Sequence, residues 1–175
     1  MKTITKIAAV CLLITVMFTG CTKKGDTGAT GAAGTNGNAN VQSYFFASTS
    51  WTYSSSSDDY YEFFPVPALT ASNLNNAAVE VFYSTTALGN NWVALPMTQF
   101  ASGLPNNYSF NFTISAGSVL VEWKYLGSGG TSNDPSTFYG STVQIKVVVI
   151  PPAMRKPNVN HNSYADVKAA YNLKD

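Results

Sequence analysis

Three stretches of this chain alternate apolar and polar side chains with a period of two, a pattern that suits strands and not helices. Val143, Ile145, Val147 and Val149 form one apolar face, opposed by Gln144 and Lys146. Val119, Val121, Trp123 and Tyr125 form a second, and Tyr108, Phe110, Phe112 and Ile114 a third, opposed by Ser109, Asn111 and Thr113. Successive side chains of a strand point to opposite faces, so one set is directed to a core and the other, Lys146 included, toward water. Less regular candidates occupy residues 42–48, 60–66, 78–85 and 92–99, and Pro65, Pro67 and Pro96 mark two of these as edge strands or as ending early. Between them stand turn-like breaks: Gly89-Asn90-Asn91, residues 103–107, Ala116-Gly117, and a long loop over residues 127–136. About seven strands at short spacing, with no long helical pattern among them, predict an all-β fold, an antiparallel β-sandwich. A helical turn is expected at residues 70–75 with Thr70 as its cap. A short C-terminal helix is expected over residues 163–173, where Tyr164, Val167, Ala170 and Tyr171 share a face and Ser163 caps the start. That face packs on the sandwich in this reading.

Ahead of the sandwich the texture is different. Lys2 and Lys6 precede an apolar run from Ile7 to Phe18, broken only by Thr15, which then meets Thr19-Gly20-Cys21. The run is shorter than the roughly 20 residues a spanning helix needs, and it suits the core of a signal peptide. Small residues before a cysteine resemble the bacterial lipobox, although Phe18 stands where Leu is usual. Residues 1–20 are therefore read as a lipoprotein signal peptide and Cys21 as the lipid-bearing first residue of the mature chain; an ordinary secretory cut nearby is the competing reading. Cys11 leaves with the leader, so the mature body holds no thiol pair for a disulfide or a thiolate metal site. With 45% hydrophobic and 13% aromatic residues, packing alone has to supply its stability. Two of the ten basic side chains leave with the leader as well, and eight basic groups against nine acidic ones offer no electrostatic footprint for nucleic acid.

From Gly25 to Ala39 glycine opens five consecutive triplets. That strict period is the collagen signature, because only glycine fits at the axis of three wound chains. The triplets contain no proline, however, and without that stiffening a flexible spacer is the plainer reading. The chain thus divides into residues 1–20 (signal peptide), 21–40 (lipidated Cys and collagen-like linker), 41–157 (β-sandwich) and 158–175 (tail with the short helix).

The lipobox, the glycine triplets running into Asn38-Ala39-Asn40-Val41, the strand Ile145-Lys146-Val147-Val148-Val149-Ile150-Pro151, and the ending Tyr164-Ala165-Asp166-Val167-Lys168 to Tyr171-Asn172-Leu173 resemble a group of bacterial collagen-like envelope lipoproteins. The resemblance spans nearly the whole mature chain and implies an envelope protein with no assigned reaction, so no catalytic residue carries over.

Direct search for chemistry points the same way. His161 is the only histidine and lies in a polar stretch, which reads as an exposed loop; no nucleophile-elbow glycine pattern accompanies a serine. A lone histidine without cysteine excludes the common zinc sets. Asp58 and Asp59 are adjacent and read as a solvated acidic loop, with a calcium site including Asp134 as the minor alternative. No cofactor or metal is expected, and the chain is not read as an enzyme. Trp51, Trp92 and Trp123 are generous for one small domain. Trp123 falls on the apolar phase of its strand, whereas Trp51 and Trp92 are the candidates for exposure and ligand contact, since ring faces stack on the apolar faces of sugars. The expectation is a non-catalytic protein anchored by lipid in the cell envelope, at the outer membrane, displaying a sandwich on a glycine-rich stalk for structural or adhesive contact. The alternative is a glycan-binding lipoprotein using surface aromatics. Its partners are the membrane, through the anchor, and a glycan or another envelope protein; nucleic acid is not among them. A monomer is the expected state and a homotrimer the alternative.

Overall fold

The computed structural model describes residues 40–48, 50–89, 91–100, 107–127 and 133–174. The leader, Cys21 and the glycine triplets lie outside the described residues. Nine strands form two antiparallel sheets: β1 (Gln42–Ser48), β2 (Thr52–Ser54), β3 (Asp59–Pro65), β4 (Ala78–Ser84), β5 (Val93–Ala94), β6 (Met97–Phe100), β7 (Asn107–Ser115), β8 (Ser118–Tyr125) and β9 (Val143–Ile150). One sheet has the order β1-β9-β4-β5 and the other β2-β3-β8-β7-β6. Among the described residues there are two short α-helices, α1 (Pro135–Tyr139) and α2 (Tyr164–Tyr171).

The alternation seen in sequence becomes the space between the sheets. Val81, Tyr83, Val143, Ile145, Val147 and Val149 from the four-stranded sheet meet Phe64, Tyr108, Phe110, Val119, Val121 and Trp123 from the five-stranded one. Trp123 is the centre of this core. Its ring stacks on Tyr108 at 4.6 Å and 12°, meets Phe110 edge-on at 4.7 Å, and sends its Nε1–H to the Asn133 carbonyl at 3.1 Å. Aromatic pairs in such offset and edge-to-face geometries add to the area they bury.

The sandwich has more strands than the periodicity suggests, for identifiable reasons. The stretch expected as one strand at 92–99 is divided between the sheets. Leu95 still donates its N–H to Val81 in β4 at 2.8 Å, and after Pro96 the chain leaves to become β6 on the other sheet. β2 is an additional three-residue strand, returned into β3 by a tight turn in which Asp58 adopts a left-handed φ of 52°. Asp58 accepts a hydrogen bond from Tyr53 at 2.9 Å, which helps hold this turn. The solvated-loop reading is corrected at its second carboxylate: Asp59 is buried and accepts from the Ser57 hydroxyl at 2.9 Å. The long loop also contains a helix. Asp134 caps α1 by accepting from Ser136 and Thr137, Pro135 occupies its first turn, and Gly140 closes it at a φ of 61°. Around residues 70–75 the helical turn is present, with Leu74 N–H bonded to the Thr70 carbonyl at 3.0 Å; the side-chain cap runs from Asn73 back to the Thr70 N–H.

The C-terminal segment returns across the outer face of the four-stranded sheet. Tyr164, Val167 and Tyr171 of α2 pack on Phe82, Val148 and Ile150 as a second apolar cluster. Ser163 caps the helix through the Asp166 N–H, and Asn172 ends it in the left-handed conformation. The strand β9 therefore lies between two neighbours in its sheet and between two apolar layers.

Candidate functional site

That covered outer face holds the polar constellation. Antiparallel register places Phe45, Lys146, Phe82 and Ala94 in one row across β1, β9, β4 and β5. The expectation that Lys146 faces water is corrected: its residue is only 4% exposed, because α2 and the residues around Trp92 close over it. The ammonium donates to the Tyr164 hydroxyl at 2.7 Å and lies 4.3 Å from that ring's centroid, 4.7 Å from Trp92 and 5.9 Å from Phe45. Ring faces are negative and attract a cation, more so once water is excluded, so these three aromatics replace part of the lost hydration.

A carboxylate stands in the neighbouring row on the same face, where Glu80 lies opposite Val148. Glu80, also on the outer face of β4, approaches Nδ1 of His161 at 3.0 Å. Burial pushes the Glu80 carboxyl up, while His161 and then Arg155 draw it back down. The exposed-loop reading of His161 is corrected by this contact, for the side chain is 35% exposed and ties the tail to the sheet. A carboxylate holding an imidazole is half of a nucleophilic triad, but among the described residues no hydroxyl is hydrogen-bonded to His161. Nor do three His, Cys, Asp or Glu side chains among the described residues converge as metal ligands. Asp134 in particular is engaged as the cap of α1, while Asp58 is engaged by the Tyr53 hydroxyl.

The aromatic candidates separate. Trp51 is 8% exposed and packs against Phe64 and Phe110 in the main core, so its expected role in ligand contact is corrected. Trp123 is core, as its phase implies. Trp92 is half-buried and sits between Phe45, edge-on at 6.3 Å, and Tyr164, tilted by 54° at 5.4 Å. It lines a hollow of about 340 Å³ together with Asn91, Asn162, Ser163, Tyr164 and Ala165. The loop after β4 supplies one wall and the start of α2 the other, so the hollow exists only when the tail is docked. Sequence reasoning missed the second wall, since residues 162–165 carry only a helix-capping pattern, and proximity to Trp92 comes from tertiary packing.

Comparison with protein-family profiles, with curated proteins and with solved structures finds no match to this chain. Among the described residues no helix is long and apolar enough to cross a membrane.

Proposed function

We propose that this chain is a non-catalytic protein of the cell envelope, held by a lipid on Cys21 and displaying its β-sandwich on a glycine-rich stalk for structural or adhesive contact. One observation carries the non-catalytic part. The charged groups that an enzyme would use have structural partners here: Glu80 faces His161, Asp134 caps α1, Asp58 and Asp59 accept hydroxyl hydrogen bonds in one turn, and Lys146 is enclosed by rings. The anchor rests on the leader and the Phe18-Thr19-Gly20-Cys21 sequence. Cys21→Ser tests it. The wild-type chain should enter the detergent phase on cloud-point separation and the variant should stay in the aqueous phase or remain unprocessed. Unchanged membrane partition of the variant would refute the anchor, and protease shaving of intact cells then locates the head. A second reading, glycan recognition, is favoured by the Trp92 hollow.

A further inference from the structure

We infer that the Trp92 hollow is a binding site for a single neutral pyranose unit; the inference rests on the glycan-recognition reading and names its ligand class and its residues. Three features of the hollow select that chemistry. The first is size: about 340 Å³ is at the low end of the 300–1,000 Å³ typical of small-molecule sites, room for one sugar ring rather than a long oligomer. The second is shape. Trp92 offers one half-exposed ring, with Tyr164 buried against it at 5.4 Å, a platform for a single sugar, whereas a chain of sugars needs a flat row of coplanar aromatics.

The third feature is polarity. The six lining residues carry no charge, and they combine an aromatic wall with the carboxamides of Asn91 and Asn162 and the hydroxyl of Ser163. Asn91 donates through Nδ2 to the Leu88 carbonyl, which orients the amide, and its oxygen retains acceptor capacity. Ser163 Oγ accepts from the Asp166 N–H, and its own O–H remains a donor. A ligand with an apolar face and a rim of hydroxyls matches such a wall and rim. Lys146 then sets the sign of what is excluded. Its ammonium lies 4.7 Å from the centroid of the Trp92 ring that lines the hollow. Protonated amines and quaternary ammonium groups, the other usual occupants of aromatic cages, meet like charge there. Lys146 is thus a positioning and selecting residue that contacts both rings.

The test uses the purified full-length protein in a polyoxyethylene detergent, whose headgroup carries no sugar. Saturation-transfer NMR is recorded with neutral methyl pyranosides, a uronate, a protonated amino sugar and phosphocholine. Transfer to at least one neutral pyranoside is expected, together with much weaker transfer to the amino sugar and phosphocholine. Trp92→Ala should weaken that binding by about tenfold or more. Because this truncation also disturbs Tyr164, Asn162→Ala serves as the second variant; Asn162 is exposed, so binding should fall with the thermal midpoint unchanged. No transfer to any sugar overturns the glycan reading itself. Preference for the uronate or an amine leaves that reading standing and overturns the neutral-ligand assignment. Sugar binding untouched by Asn162→Ala and Trp92→Phe places the site elsewhere and overturns the inference.

Discussion

Removal of one oxygen atom, by Tyr164→Phe, isolates the contact that holds the tail over Lys146. The Phe ring preserves the edge contact with Phe82 at 5.3 Å, the tilt against Trp92 and the ring face toward the ammonium. What disappears is the 2.7 Å acceptor for a charged donor inside a buried site. Hydrogen bonds to charged groups contribute about 1.5–3 kcal/mol, so a loss of about 2 kcal/mol is expected. With a urea m-value of roughly 2 kcal/mol/M, the unfolding midpoint should fall by about 1 M. The assay is equilibrium denaturation followed by tryptophan fluorescence, on a Cys21→Ser background kept free of detergent. Lys146→Met completes the cycle. An apolar side chain of similar length removes the cost of burying charge along with its attractions, so this variant should lose less than Tyr164→Phe does. In the Lys146→Met background the hydroxyl has no ammonium to serve, and Tyr164→Phe should then cost about 1–2 kcal/mol less than it does alone. A coupling below about 0.5 kcal/mol would refute the claim that this pair fastens the tail.

Two further expectations concern the core and the pH profile. Trp123→Ala empties the space between Tyr108, Phe110 and Phe138 and frees the Asn133 carbonyl; it should cost about 3–5 kcal/mol and lower the thermal midpoint by at least about 10 °C in differential scanning calorimetry. The Glu62 carboxyl is raised chiefly by burial, with the Ser48 hydroxyl opposing and Asp134 adding to the rise. The folded state therefore holds this proton more tightly than the unfolded chain, and its contribution is fully present below the unfolded carboxylate range and is lost as pH rises through the folded value. Thermal midpoints measured from about pH 4 to pH 7 should show that loss, and the slope should flatten in Glu62→Gln; identical slopes would contradict the assignment.

Much of the fold was legible because it depends on periodicity. The faces of β7, β8 and β9 that enter the core are the ones their alternation marks, and Gln42–Ser48 coincides with its expected strand. Lys146 was misread because alternation alone assigns it to water. The corrective signal lay beside it, in the unbroken run from Val147 to Ile150, since a strand covered on both faces reads as continuously apolar. Helix α1 was also written in the chain: Asp134-Pro135 followed by Gly140 is a cap, a first-turn proline and a left-handed stop in the correct order. Its five-residue length gave no periodicity to detect. For the candidate site, Trp92 was legible as an aromatic beside a Gly-Asn-Asn turn. Its partners were not, because Asn162 and Ser163 are about seventy residues away in sequence and reach it only through the docking of α2. The exclusion of Trp51 was likewise invisible, for nothing in its neighbours declares that Phe64 and Phe110 enclose it.

The placement of β9 governs the order in which this domain completes itself. Translation delivers residues from the amino end, and the β7–β8 hairpin can close as soon as Ser118–Tyr125 is available, with β3 joining β8 shortly afterward. In the other sheet only the short β4–β5 pair, with Phe82 opposite Ala94, can close early. Among the described residues β1 finds its only neighbour in β9, with Gln42 opposite Val149, and β4 is joined to β1 through that same late strand. Pairing across roughly a hundred residues carries a large loop-closure cost and slows folding. Until it happens, β1 is an unclaimed edge and the apolar faces of β4 are uncovered, the kind of surface that attracts wrong partners. Only after β9 inserts can α2 lie down across it and form the second wall of the Trp92 hollow. A nascent chain stalled before Val143 should therefore be competent to build half a sandwich and incompetent to bind, with maturation gated by the arrival of β9 and α2.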